Sequence, residues 1–74
     1  MRRAGTVVGT AQGVAVVRSR DGSHPDLGTD LVDERLDPVG TVVDVFGPVD
    51  RPYLAVSPED QQVATLVGEQ VYAR

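Results

Sequence analysis

The chain has 74 residues and no cysteine, so disulfides and thiolate metal sites are excluded. It has no lysine either, which excludes a phosphate-binding loop that ends in lysine. The only histidine, His24, supplies fewer nitrogen ligands than a zinc site needs. No apolar run approaches the ~20 residues of a membrane span. We therefore expect a soluble cytoplasmic protein with no resident metal or cofactor, no membrane contact and no small-molecule substrate.

Isoleucine and asparagine are also absent, and all seven basic residues are arginine. A GC-rich genome accounts for part of this composition, because lysine, isoleucine and asparagine codons are AT-rich. The acidic excess gives a net charge of −4, and high net charge keeps proteins soluble in concentrated salt. We therefore expect a host with a salty cytoplasm. Binding of nucleic acid without sequence preference depends on basic contacts to phosphates, so we expect any role near RNA to run through another protein.

Six short runs of valine and other β-formers predict strands, whereas helix signals are weak. The runs are roughly Ala4–Ala11, Gly13–Ser19, Thr29–Asp33, Val39–Phe46, Tyr53–Val56 and Glu69–Tyr72. Gln12-Gly13 predicts a tight turn that makes the first two runs a hairpin. Ser57-Pro58-Glu59-Asp60 has the composition of a helix start, followed by no more than one or two turns. The pattern predicts one all-β domain over residues 1–74, a small β-barrel whose closure removes exposed strand edges.

The stretch from Val39 to Val56, VGTVVDVFGPVDRPYLAV, has more apolar residues than a strand with one face in water needs. Strict alternation puts Val39, Thr41, Val43 and Val45 on one face, and Gly40, Val42, Asp44 and Phe46 on the other. A single sheet buries one face internally, so we expect Val43 and Val45 to point inward. The face with Val42 and Phe46 then needs another cover, which predicts a docking surface. Core packing is the alternative for Phe46.

No set of residues in the sequence predicts catalysis or metal binding. We expect His24 to be a solvated histidine in a polar loop, residues 20–28. The acids between residues 26 and 37 are dense, but their spacing does not match a calcium-binding EF-hand loop, and we expect a solvated acidic surface. The serines Ser19, Ser23 and Ser57 have no general base nearby in the sequence.

Three arginines and one tyrosine have more than one interpretation. Arg18, Arg20 and Arg51 could contact phosphate, but we expect them to pair with the many acids. Tyr53 could stack on a base, or it could fill the core or a protein interface, where tyrosine is enriched. The acidic charge favours the core or the interface.

The segment DVFGPV, Asp44 to Val49, resembles the Gar-one family, the glycine-arginine-rich-protein subunit of box H/ACA ribonucleoproteins. The resemblance covers nearly the whole chain. It includes the opening strand pair RRAGTVVGTAQGVAVVRS, the central VDERLDPVGTVVDVFGPVDRPYLAV and the closing Gly68-Glu69-Gln70-Val71-Tyr72. It implies a six-stranded β-barrel of the type shared by reductases, isomerases and elongation factors.

The same resemblance implies a non-catalytic function in RNA-guided pseudouridylation. Members of the family bind the catalytic domain of a dyskerin-type pseudouridine synthase near its mobile thumb loop, and help substrate RNA to load and product to leave. Eukaryotic members carry Gly/Arg-rich tails that this sequence lacks, which implies the archaeal type and only indirect contact with the H/ACA guide RNA particle. The alternative is a small β-barrel that binds RNA directly, as translation-factor barrels do.

The family motif also implies which residues dock on the synthase. By position they are Gly40, Val42, Phe46, Gly47, Pro48, Pro52 and Tyr53. Gly40 would let a partner backbone approach closely, and Val42 and Phe46 would bury apolar area. The two prolines would order the loop before docking and so lower its entropy cost. Core packing is the alternative for Val42 and Tyr53.

Overall fold

The computed structural model describes residues 2–59 and 63–74, which form a closed six-stranded β-barrel. The strands are β1 (Arg2–Ala11), β2 (Val14–Ser19), β3 (Asp30–Val32), β4 (Pro38–Phe46), β5 (Tyr53–Pro58) and β6 (Gln70–Ala73), with one 3₁₀ turn at Val63–Leu66. The predicted all-β barrel is therefore confirmed. No helix within residues 2–59 and 63–74 is long and apolar enough to cross a membrane.

The strands follow the order β1-β2-β5-β4-β3-β6 around the barrel, and every neighbouring pair is antiparallel. Consequently β1, β3 and β5 begin at the same end of the barrel at which β2, β4 and β6 end. We call this the termini end, because the first and last described residues lie there. It carries the loops of residues 20–29 and 47–52. The opposite end carries the β1–β2 turn, where Gln12 (φ 51°) and Gly13 (φ 83°) both adopt the positive φ of a type I′ hairpin.

The barrel interior is filled mainly by valine and leucine side chains. The largest of those with almost no exposed surface are Val7, Val17, Leu31, Val42, Leu54, Val56 and Val71. Branched side chains of this size pack well on a pleated surface. Each contributes about 1.5–3 kcal/mol through its burial, which is what stabilises so short a chain.

Strand β4 departs from strict alternation through a β-bulge. Val42 lies opposite Val56 and Asp44 opposite Ala55, so Val43 is an extra residue with no partner in this register. Val42 is therefore 1% exposed and Val43 is 49% exposed. The predictions that Val43 points inward and that Val42 points outward are both wrong. Val45 packs half-buried against the core, and Phe46, 45% exposed, points outward as predicted.

A second irregularity, between β3 and β4, lets the consecutive residues Val39 and Gly40 both be buried. A Cβ built on Gly40 would collide with the backbone of Ser57 and Pro58 in β5. The close backbone approach that was expected from a partner at Gly40 therefore comes from the chain itself. Only glycine leaves room for it.

The expected helix start at residues 57–60 is wrong for its first two residues. Ser57 and Pro58 continue β5, where they lie opposite Thr41 and Gly40. The backbone N–H of Glu59 then donates to the Val39 carbonyl at 2.9 Å. Asp60 lies outside the described residues. Pairing with β4 supplies more hydrogen bonds than a one-turn helix would, so the strand continues past the local capping signal.

Candidate functional site

The outer face of the β4–β5 hairpin carries a pair of stacked aromatic rings at the termini end. Phe46 and Tyr53 lie directly opposite each other in the register of the two strands. Their ring centroids are 5.6 Å apart and the ring planes differ by 19°. Stacking of this kind contributes about 0.5–1.5 kcal/mol beyond the burial of area. Phe46 is thus held in place while almost half of its side chain faces solvent.

Arg18 of β2 adds a cation to this pair. It lies opposite Tyr53, its Cζ is 5.0 Å from the ring centroid, and its Nη1 donates to the Tyr53 hydroxyl at 2.8 Å. A guanidinium over an aromatic ring is attracted to the ring by about 0.5–2 kcal/mol. We call Arg18, Tyr53 and Phe46 the stack. It is a preformed surface element, because each member is fixed by its neighbour before any partner arrives.

Gly47 follows Phe46 and turns the chain away from β4. Its φ is +90°, a conformation that side chains with a Cβ rarely adopt. A Cβ at this position would lie 2.9 Å from Cδ2 of Tyr53. Gly47 therefore supplies both the turn and the space in which the Tyr53 ring lies flat beside Phe46.

Ser19 attaches the 47–52 loop to the barrel wall. Its hydroxyl donates to the Pro52 carbonyl at 2.6 Å, and its backbone N–H donates to the same oxygen at 3.1 Å. Nε of Arg51 donates to the Ser19 carbonyl at 3.1 Å. The Ser19 side chain is fully buried. The loop is thus ordered by hydrogen bonds to β2 as well as by the fixed φ of its prolines.

Large apolar side chains beyond the stack are exposed at the same end. Val49, at the tip of the 47–52 loop, is 92% exposed, and Val43 is 49% exposed. Leu27 is 63% exposed, and the N–H of the next residue, Gly28, donates to the Val42 carbonyl, which holds this loop against the bulge. We call Leu27, Val43, Phe46 and Val49 the apolar patch. These four side chains share exposure and their place in β4 and the loops of this end, which makes the end a candidate interaction surface.

The seven predicted docking residues divide into two sets in the structure. Phe46, Gly47 and Pro48 are exposed and Tyr53 is half-buried, so these four are brought together at the surface. Gly40, Val42 and Pro52 are buried, Val42 in the core and Pro52 at the end of the 47–52 loop. The expectation that they offer contact surface is wrong for this fold, because Val42 fills the core, Gly40 meets β5 and the Pro52 carbonyl is occupied by Ser19.

Sequence reasoning missed Leu27, Val43 and Val49 as surface residues. Val49 had a readable signal, because an apolar residue between two prolines in a loop has no strand to bury it. Val43 had none, since nothing in two consecutive valines tells which one the bulge turns outward.

The expected pairing of Arg18, Arg20 and Arg51 with acids is also wrong for the part of the chain that is described. Both ion pairs found there belong to Arg35, with Asp33 at 3.6 Å and Asp37 at 3.8 Å. Arg18 and Arg51 instead donate to the uncharged oxygens of Tyr53 and Ser19.

In the described part of the chain, the potential metal ligands are dispersed. Among the residues in ranges 2–59 and 63–74, no three His, Cys, Asp or Glu side chains are grouped to hold a metal ion. His24 is half-buried, with Nδ1 2.9 Å from the Pro25 carbonyl. Because a carbonyl only accepts, that nitrogen carries the proton. The arrangement at the termini end suits binding.

A family model described as the Gar1/Naf1 RNA binding region matches residues 1–74, the full length of the sequence. No curated protein matches the chain.

Proposed function

The chain belongs to the Gar1/Naf1 family of RNA-binding auxiliary ribonucleoprotein subunits, and from this we propose that it is a non-catalytic subunit of an H/ACA ribonucleoprotein. Its partner is the catalytic domain of a dyskerin-type pseudouridine synthase. By docking there it promotes the loading of substrate RNA and the release of product.

The observation that carries this proposal is the exposed Phe46 held by the stack. An aromatic side chain that is fixed in position and 45% exposed loses little conformational entropy when a partner covers it. Since Phe46 is already about half-buried, covering the rest is worth about half of the ~1.5–3 kcal/mol gained when a fully exposed side chain of this kind is buried. Val43 and Val49, which precede and follow Phe46 by three residues in the chain, are exposed apolar side chains as well. A centre of aromatic and arginine residues is the composition of binding hot spots in protein interfaces.

Docking of this kind regulates a partner without chemistry of its own. A subunit that binds one conformation of a mobile loop more tightly than another shifts the loop's equilibrium by the difference in affinity. A subunit that favours the open loop in one step and the closed loop in the next would aid both loading and release. The guide RNA is then affected through the synthase.

The test is copurification with the synthase after Phe46→Asp. A charge at this exposed position leaves the barrel folded but costs the desolvation of a carboxylate in an apolar interface, so capture of the synthase is lost. Val8→Asp is the matched control, because Val8 is 48% exposed on β1, outside the apolar patch. We expect that control to copurify normally.

If Phe46→Asp is folded and still captures the synthase, Phe46 is not at the interface. If Phe46→Asp unfolds, Phe46 supports the fold and the test passes to Val49→Asp, since a 92% exposed side chain contributes almost nothing to folding. Retention of the synthase by Val49→Asp as well would refute docking through the apolar patch.

A second candidate function is direct binding of RNA by the barrel. The description of the matching family names RNA binding, and Arg18 and Arg51 make no ion pair in the described part of the chain. This candidate predicts measurable affinity of the isolated chain for RNA with a steep dependence on salt.

A further inference from the structure

The charges of the barrel are separated between its two ends. Six of the seven arginines lie at the termini end: Arg2, Arg3, Arg18, Arg20, Arg51 and Arg74. Five described acids lie there too: Asp21, Asp26, Asp30, Asp44 and Asp50. Arg35 lies at the opposite end with the other five described acids: Asp33, Glu34, Asp37, Glu59 and Glu69. The described residues thus carry +1 at the termini end and −4 at the other, which the net charge of the chain conceals.

Three arginines of the termini end donate hydrogen bonds to neutral oxygens, so these bonds do not offset their positive charge. Nη2 of Arg2 donates to the Ser23 hydroxyl at 2.9 Å, as Arg18 does to Tyr53 and Arg51 to the Ser19 carbonyl. In the described ranges, the two ion pairs both lie at the opposite end, on Arg35. No carboxylate within ion-pair distance therefore has to be displaced before an anion binds at the termini end.

Four of these arginines line two adjoining clefts. Arg2, Arg3 and Arg20 line the first together with Asp21 and Ser23. Arg2 also lines the second, which continues past His24 and Asp26 to Arg74. Concave walls of low dielectric concentrate the field of such charges.

The first cleft is lined by three arginines and one carboxylate, that of Asp21, which accepts from the backbone N–H of Ser23 at 2.8 Å. One detail favours a phosphate as its ligand. The Ser23 hydroxyl accepts from Arg2, which leaves its own proton to donate to a further acceptor such as a phosphate oxygen. Guanidinium groups match phosphate with two parallel hydrogen bonds.

We infer that the termini end binds the sugar–phosphate backbone of RNA, with Arg2, Arg3, Arg20 and Arg74 as the phosphate contacts. The inference rests on the RNA-binding role of the family and is independent of docking on the synthase. It also replaces the sequence-based argument that a net charge of −4 disfavours RNA, because the negative excess lies at the other end, where five described acids are matched by one arginine.

The test compares Arg20→Gln with Arg35→Gln, which change the net charge equally at opposite ends of the barrel. The probe is a labelled single-stranded RNA of mixed sequence, about twenty nucleotides long, titrated with the full chain from about 0.05 M to about 1 M KCl. Loss of one phosphate contact lowers the slope of log K against log salt by about 0.7. Arg20→Gln should therefore bind about eightfold more weakly at about 0.05 M and converge on the unmodified protein near 1 M. Arg35→Gln should keep the original slope.

Each result has one meaning. Equal loss in both variants, or no binding by the unmodified protein at low salt, would overturn the inference. Polyglutamate of the same length serves as a competitor, and if it displaces the RNA at equal charge concentration, the site takes an acidic protein instead of RNA. Circular dichroism verifies that both variants are folded. An Arg20→Gln variant that loses RNA but still copurifies with the synthase leaves the docking proposal intact.

Discussion

At the scale of single residues, Gly47 combines a strained backbone conformation with a crowded side-chain position. Its positive φ and the Tyr53 ring beside it exclude a side chain for two separate reasons. Gly28 offers a comparison, because its φ is +88° but no atom lies within 4 Å of where its Cβ would be. Substituting alanine at Gly28 therefore measures the cost of backbone conformation alone. The same substitution at Gly47 adds the cost of displacing the Tyr53 ring.

We expect Gly47→Ala to destabilise the protein more than Gly28→Ala. Both should lose about 1–2 kcal/mol of unfolding free energy from the left-handed backbone. Gly47→Ala should lose a further ~1–3 kcal/mol because the new methyl group overlaps the Tyr53 ring. Urea denaturation measures both losses, and the near-ultraviolet circular dichroism of tyrosine should change only for Gly47→Ala. Equal losses would mean that the ring moves aside at no cost.

At the scale of an element, the bulge in β4 decides which valine belongs to the core. We expect Val42→Ala to cost about 1–3 kcal/mol of unfolding free energy, since it removes buried methyl groups and leaves a cavity. Val43→Ala should change stability by less than about 0.5 kcal/mol, as at most exposed sites. Thermal melting of the two variants gives the comparison. A larger loss of stability in Val43→Ala than in Val42→Ala would contradict the bulge and support the strict alternation predicted from the sequence.

This bulge also marks where sequence reasoning reaches its limit. The six strands, the turn at Gln12-Gly13 and the outward side of Phe46 were predictable, because they depend on neighbours within a few residues. The burial of Gly40 and Pro52 was not, because it depends on β5 and on Ser19, which are distant in sequence. The same holds for Arg18, whose partner Tyr53 lies 35 residues away. The prediction of a helix start at Ser57-Pro58 was wrong for a related reason, because pairing of these residues with β4 outweighed the local helix signal.

For the whole molecule, the uncompensated negative charge at one end, five described acids against one arginine, predicts that salt stabilises the fold. The barrel measures 29 × 27 × 21 Å, so the acids of one end repel each other over distances comparable to the Debye length of about 10 Å at 0.1 M salt. At 1 M that length is about 3 Å and the repulsion is screened. Relief of about 1 kcal/mol would raise Tm by about 4–8 °C for a chain of this size.

Melting curves from about 0.1 M to about 1 M KCl measure this effect. Glu34→Gln should reduce the salt dependence, because it removes a charge from the crowded end. Asp50→Asn, its matched control, should not, since Asp50 lies among the arginines of the termini end. The same melting temperature at low and molar salt would contradict both this explanation and the expectation of a salty host.

The pairing of β1 with β6 has a practical consequence for every assay on this protein. Arg2 lies opposite Ala73, so an affinity tag or fluorophore fused to either terminus would emerge beside the arginine-lined clefts and the aromatic stack. A histidine tag would add titratable positive charge where binding is to be measured. The Gln12–Gly13 hairpin tip is solvent-exposed and at the far end of the barrel. A label inserted there would leave the measured surface unobstructed.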